Sequence, residues 1–574
     1  MSSFLSTWVG VDDVAHVAVT VTGDAAEAVS VHSPALVADA VASRIGAKDF
    51  TLWGEEAEAE SKIRLGWTEL FETARGILNE LDALVAAASA EGKTRVVLAG
   101  MGGSSLGPEV ICATYGVPLV TLDSTDPDQV RDALDGDLES TILVVSSKSG
   151  GTVETDSQRR AFEMAFEAAG LDPRQHIVVV TDPSSPLHKA AVDAGYRAVF
   201  LADPNVGGRF SVLSAFGLVP SALAGVPVVE ILDEAAAVAE SFTEDNEANP
   251  ALVLGAAMAG TSRDKLVFSD HGSGLVGFAD WAEQLIAEST GKSGVGVLPV
   301  VAEVDAPDAG LADVLDVRLV PLDTEVVAIE TEAVDQEGDG AALDSDFVAV
   351  ATDVAAAADA PEHGIAVAGT LGGQFLLWEY ATAVAGRLLS ISPFDQPNVE
   401  SAKVASRALL DALPEPEPPV FVDNGIEVRG SGVPLDGVST VAEAVAALEG
   451  QLGERGYVAV MAYLDREANP ALASVRTAVA ARTQRPTTFG WGPRFLHSTG
   501  QLHKGGAPVG VFLQITGTFA EDLEIPGRPF TFGQLISAQA QGDAAVLAEH
   551  DRPVLQLNLT DAAQVAAVTA ILKG

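Results

Sequence analysis

The chain has little positive charge, almost no cysteine and no long apolar run. Its 574 residues hold 33 Lys and Arg against 81 Asp and Glu, a formal net charge of −48 at pH 7. A surface of that sign repels nucleic acid and anionic membranes, so neither is expected as a partner. A single cysteine, Cys112, excludes an intrachain disulfide framework and a cysteine-built metal site, and it reads as a small buried hydrophobe. Although 48% of the residues are hydrophobic, no stretch nears the roughly 18 consecutive apolar residues of a membrane span. The start, Met1-Ser2-Ser3-Phe4, lacks a basic region followed by an apolar run, so no secretory signal is expected and a cytoplasmic location is. With cations so scarce, the places where they are spent become informative.

What is present is enough apolar sequence for about three to four domains. Short β-branched runs recur at Val96–Ala99, Pro118–Leu122, Ile142–Val145 and Ile177–Val180, with amphipathic stretches over Thr152–Ala169 and Pro186–Ala194 between them. That alternation predicts βαβ units around a buried parallel sheet. A second set comprises Lys265–Phe268, Val295–Leu298 and Phe347–Val350, followed by a long apolar-faced helix from Leu371 to about Leu389. The acidic, proline-rich Leu413–Pro419 suits a semi-rigid linker and marks a boundary. Beyond it, Tyr457–Ala462, Val509–Leu513 and Val554–Leu557 predict further buried strands. The expected organisation is a mainly helical segment over residues 1–90 packed on the first domain, α/β domains over 91–245 and 246–412, and a smaller α/β unit over 420–574. Helix is predicted over Thr68–Ala88 in the first of these.

Two loops carry the first chemical signals. Gly100-Met101-Gly102-Gly103-Ser104-Ser105-Leu106-Gly107-Pro108 leaves a predicted strand and enters a predicted helix, where glycines let backbone amides approach an anion. Such a turn can also be structural or serve a dinucleotide. Ser146-Ser147-Lys148-Ser149-Gly150-Gly151-Thr152 repeats the geometry with hydroxyl donors, one lysine and helix-terminal amides aimed at one place, a phosphate cradle in physical terms. A serine-rich helix cap is the plainer alternative, but the hydroxyls around Lys148 exceed what one cap needs. A phosphate site spread over two βα turns also weakens the dinucleotide reading.

Together these loops resemble those of the phosphoglucose isomerase family, which is built from sugar-isomerase domains, with Ser149 where threonine is usual. The resemblance implies that Ser147, Lys148, Ser149 and Thr152 bind phosphate and that Gly103 and Ser104 line the sugar. Four further stretches extend it. Val206-Gly207-Gly208-Arg209-Phe210-Ser211 is similar to the family's Gly-Gly-Arg signature, apart from Pro204, and makes Arg209 the implied catalytic arginine. Glu288-Ser289-Thr290-Gly291-Lys292, with Thr290 in place of asparagine, makes Glu288 the implied base. Ser392-Pro393-Phe394-Asp395-Gln396-Pro397-Asn398-Val399-Glu400-Ser401-Ala402-Lys403 resembles the second signature, with Asn398 for glycine; Lys403 would assist ring opening and Gln396 would contact the sugar. Phe495-Leu496-His497-Ser498-Thr499-Gly500-Gln501 is similar to the family's His-Ser-x-Gly-Gln stretch and implies that His497 handles the ring-oxygen proton.

The resemblance implies an α/β fold with two doubly wound parallel-sheet sugar-isomerase domains plus the third unit. It implies aldose-ketose isomerisation of glucose 6-phosphate and fructose 6-phosphate through a cis-enediolate, a sugar-phosphate substrate, a homodimer, and neither metal nor redox cofactor. The residue types suit that chemistry: a carboxylate can take and return a proton between neighbouring carbons, and a fixed guanidinium can stabilise an enediolate oxygen. Two alternatives stand beside it, an isomerase that also accepts mannose 6-phosphate and a non-catalytic sugar-phosphate sensor. Retention of Glu288, Arg209 and Lys403 argues against the sensor; the lack of an N-terminal cysteine argues against an aminosugar synthase. One departure is of order. In the family the histidine stretch precedes Phe-Asp-Gln, whereas here it lies beyond the proline-rich segment. Either the third unit returns in space to complete the site, from the same chain or a dimer partner, or His497 belongs to another pocket.

Overall fold

The computed structural model describes residues 4–11, 14–322, 347–350, 361–412 and 418–574. Three sheets organise it. The first has five parallel strands in the order Val120–Leu122, Arg95–Gly100, Thr141–Ser146, Ile177–Thr181 and Ala198–Leu201. Its three central strands are buried almost throughout, as continuous β-branched runs covered by helices on both faces should be. The order in which successive strands are added reverses between Arg95–Gly100 and Thr141–Ser146, which are parallel neighbours in the sheet. The crevice beyond their carboxyl ends is where such sheets take ligands, and both Gly-Ser loops open into it.

The second sheet runs Phe347–Val350, Phe4–Val11, Val14–Thr22, Gly364–Gly369, Val314–Leu319, Lys265–Asp270 and Leu298–Val301. The last four strands are mutually parallel and the first three are antiparallel additions. The leading segment is mainly helical over residues 23–90, but it begins with this hairpin, which joins the second sheet and not the first. The physical reason is a period of two: Val17, Val19 and Val21 are fully buried while His16, Ala18 and Thr20 between them are half-buried. The helix expected over Thr68–Ala88 is divided into Gly66–Glu69, Leu70–Thr73, Ala74–Ile77 and Leu78–Ala90, with Gly76, a poor helix former, in the third piece. The strand expected at Val295–Leu298 lies at Leu298–Val301, because Gly296 takes a φ of 151° and the amide of Val297 bonds Thr290 Oγ1 at 3.0 Å.

The third sheet orders Phe421–Asp423, Ile426–Ser431, Val554–Leu559, Gly510–Gly517, Tyr457–Tyr463 and Thr487–Trp491, again with its last four strands parallel. It is clamped to the second unit by the buried pair Arg476–Asp308 at 2.9 Å. Helix Phe532–Glu549 joins two cores. Phe532 and Leu535 pack with Val97, Leu143 and Phe162 of the first unit, and Ile536, Ala540 and Leu547 pack under the third sheet with Tyr457 and Phe512. Cys112 lies in the first core, where burial pushes its thiol up to about 12. Of the proline-rich stretch, residues 413–417 lie outside the described residues. Among the described residues no helix is long and apolar enough to cross a membrane.

Candidate active site

The glycine loop after Arg95–Gly100 is shaped by what presses on it. Gly102 has a φ of 56°, and a Cβ there would lie 2.7 Å from the His497 carbonyl oxygen and 2.8 Å from Gln284 Nε2. A Cβ on Gly103 would fall 1.9 Å from the Gly208 carbonyl oxygen, so this loop and the Gly-Gly-Arg turn interlock backbone to backbone. Ser104 is buried beside them.

The second loop precedes helix Val153–Ala168. Ser147 Oγ and Thr152 Oγ1 are 3.0 Å apart, and Ser147 Oγ also accepts from the Gly150 amide at 3.2 Å. Ser149 is exposed, its Oγ accepting from the Gly151 amide at 3.2 Å. Thr152 makes no side-chain cap bond, which leaves first-turn amides facing the loop. Lys148 Nζ pairs with Asp182 at 2.5 Å and donates to the Pro204 carbonyl at 3.2 Å, tying this loop to the segment that leads into Arg209.

Arg209 is buried in the short turn Gly208–Phe210 and every arm of its guanidinium is engaged. Nε donates to Ser289 Oγ at 2.7 Å, Nη2 to the carbonyls of Pro393 at 2.6 Å and Asp395 at 3.1 Å, and Nη1 lies 3.3 Å from Glu288 Oε1. Burial pulls this guanidinium below its ordinary value, and the carboxylates of Glu288 and Asp395 oppose the shift. Glu288 sits near the end of helix Phe278–Thr290 and is itself buried. Gln284, one turn earlier, donates from Nε2 to Glu288 Oε2 at 3.2 Å and to the His497 carbonyl at 2.7 Å. Lys292 is buried and donates to the Ser392 carbonyl at 2.7 Å, the Asp395 carbonyl at 2.6 Å and Asp395 Oδ1 at 2.6 Å. Burial, with Arg209 close by, lowers its ammonium to about 8. Thr290 is fully buried, its hydroxyl donating to the Ile286 carbonyl at 2.8 Å; it finishes the helix.

The third unit enters this pocket from the same chain. His497 lies at the end of the turn Arg494–His497, which Arg494 anchors to the first unit through Asp123 at 2.7 Å and through Glu109. The ring Nε2 is 3.0 Å from Glu154 Oε1. A carboxylate only accepts, so Nε2 carries the proton and Nδ1 is the nitrogen left for other chemistry. Gln501 donates to the Gly291 carbonyl at 2.9 Å and to Asn398 Oδ1 at 2.8 Å, sewing the Glu288 helix end to the Phe394–Asn398 turn. Gln396 is exposed at that turn. Lys403 lies in helix Pro397–Ala412, but its side chain is outside the described residues.

The structure therefore gathers Gly103, Ser104, Arg209, Glu288 and His497, with Ser147, Lys148, Ser149 and Thr152 on the adjoining loop. The open question about order is answered in space: the third unit returns to the crevice within one chain. Sequence reading passed over Glu154, Gln284, Gln501 and the part played by Lys292. Glu154 occupies a helix's first turn, where an acid is favoured anyway, and Lys292 stands inside a stretch singled out for other residues. Among the described residues no cluster of three or more His, Cys, Asp or Glu is placed to hold a metal ion.

Comparison with known proteins places these residues in a family. The family model described as phosphoglucose isomerase matches residues 79–295. A glucose-6-phosphate isomerase of Cyanothece sp. is 35% identical over 212 residues, 35% of this chain and 40% of that protein, so the chain spans less than half the length of this relative. A probable glucose-6-phosphate isomerase of Natronomonas pharaonis is 33% identical over 351 residues, covering 57% of this chain and 82% of the relative. The glucose-6-phosphate isomerase of Rubrobacter xylanophilus is 32% identical over 355 residues, with 54% and 82% covered. Among solved structures, a hypothetical protein of Thermus thermophilus superposes with a TM-score of 0.53 at 27% identity, covering 67% of this chain and 96% of that one.

Proposed function

Since the chain belongs to the phosphoglucose isomerase family, we propose that it interconverts glucose 6-phosphate and fructose 6-phosphate. The observation that carries the reading is the buried Glu288 carboxylate 3.3 Å from the Arg209 guanidinium, beside two loops rich in anion-binding donors. The phosphate lies on Ser147, Lys148, Ser149 and Thr152, with the helix amides behind them. Gly103, Ser104 and Gln396 border the sugar. Ring opening uses Lys403 and His497, whose Nδ1 faces away from Glu154 and serves the ring oxygen. Glu288 then carries one proton between C2 and C1, and Arg209 stabilises the enediolate oxygen that becomes negative meanwhile. Lys292 holds Asp395 and the backbone around it, so that the carbonyls meeting Arg209 stay in place. A homodimer, as the family resemblance implies, and a cytoplasmic location belong to the same proposal.

A coupled assay without added metal tests this. Wild type turns over fructose 6-phosphate, and Glu288→Gln loses activity on the order of 10³-fold in kcat with sugar-phosphate binding largely kept. Intact binding without wild-type turnover supports the sensor reading instead. Thr290 offers no support for wider epimer specificity, since its hydroxyl is spent on the helix end.

A further inference from the structure

Helix Phe532–Glu549 comes from the part of the chain beyond the family match at residues 79–295, yet it reaches the ring-opening pair. Gln539, on its buried side and only 3% exposed, donates from Nε2 to Glu154 Oε1 at 2.7 Å. That is the oxygen which also accepts from His497 Nε2. The other end of the amide is held as well, for Thr125 Oγ1 donates to Gln539 Oε1 at 2.7 Å. Chemistry sets the amide's orientation: a carboxylate accepts only, so the NH₂ must face Glu154 and the carbonyl must face the threonine hydroxyl. Thr125, Gln539, Glu154 and His497 are thus linked by hydrogen bonds from the edge of the first sheet to the imidazole, with Gln539 and His497 converging as donors on Glu154 Oε1.

We propose that Gln539 is a positioning residue for ring opening, holding Glu154 Oε1 where His497 keeps its Nε2–H acceptor and presents Nδ1 to the sugar. A buried amide is expensive unless its bonds are made. A hydrocarbon of the same length would serve the packing between helix and sheet equally well, so a glutamine bonded at both ends points to the carboxylate it steadies. The chemical role rests on the isomerase reading; the arrangement of the pair does not. By this inference the third unit acts twice on the site, once by carrying His497 and once by fixing the partner of His497 from a separate helix.

The test uses the full-length protein with Gln539→Leu, His497→Ala and the double variant, together with proton and nitrogen spectra of histidine-labelled protein. Gln539→Leu is expected to lower kcat/KM for fructose 6-phosphate about tenfold with KM within about threefold, and to change it less than about twofold when His497 is already alanine. The hydrogen-bonded Nε2–H signal of His497 should move or vanish while those of the other histidines persist. Equal losses in both backgrounds with an unmoved His497 signal overturn the inference. Should Gln539→Leu fail to fold, Thr125→Val removes only the hydroxyl facing the amide and enters the same cycle, with about a threefold loss expected. A wild type without turnover, whose His497 signal still answers to Gln539→Leu, overturns the isomerase reading and leaves the positioning intact.

Discussion

The two halves of the pocket are built on opposite plans. Arg209, Glu288 and Lys292 are each buried, and the two cations are held by fixed partners, down to three backbone carbonyls at Ser392, Pro393 and Asp395. The loop over 147–152 lies nearer water: Ser149 and Gly151 are exposed, Gly150 has a φ of 66°, and several hydroxyls and amides offer overlapping donors. In the isomerase reading proposed above, the contrast follows what each half must do. Stabilising charge that exists only during reaction requires dipoles already in place in a dry site. Holding a dianion that is present from the start needs only enough donors, and redundancy makes each of them dispensable.

The most severe way to break that contrast is Arg209→Lys. A lysine cannot reproduce the guanidinium's fork and leaves Glu288 buried without its partner; kcat should fall on the order of 10²–10³-fold with KM little changed, read by steady-state kinetics. Next comes pH. The folded-state ammonium of Lys292 is lowered to about 8, so the group is charged below that value and neutral above it. A neutral amine has two N–H donors for three acceptors, at Ser392, Asp395 Oδ1 and the Asp395 carbonyl. Activity should therefore decline as pH rises through about 8, a midpoint set first by burial and then by Arg209, with Asp395 and Glu288 opposing. A basic limb that stays flat to pH 9.5 would sink this. Mildest is Ser149→Ala on the exposed loop, where we expect KM to rise only about threefold and kcat to hold.

Legibility in the sequence followed the same divide between local and distant causes. Pro186–Ala194 is a helix with both expected ends, and the strands at Ile142–Val145 and Ile177–Val180 lie within one residue of expectation, because β-branched runs and a proline at a helix start act over a few residues. The loops that touch phosphate in our reading were visible for a similar reason: glycine and hydroxyl residues between a strand and a helix have few other uses. Glu154 and Gln539 were not visible. Each sits on an amphipathic helix where a polar residue reads as solvated, and only the arrival of a partner 385 residues away makes it a buried one. The hairpin Phe4–Thr22 was missed although its alternation at Val17, Val19 and Val21 stood in plain sight; its antiparallel pairing with Gly364–Gly369 depends on a strand more than 340 residues later.

The contact between Gly103 and Gly208 has a bearing on redesign. Nineteen of the twenty amino acids carry at least one carbon that would be driven into a carbonyl oxygen at 1.9 Å, so the seam between these loops works as a gauge block that admits no side chain at position 103. Enlarging the cavity for a bulkier sugar cannot begin there. Substitution is freer at Gln396, which already faces solvent.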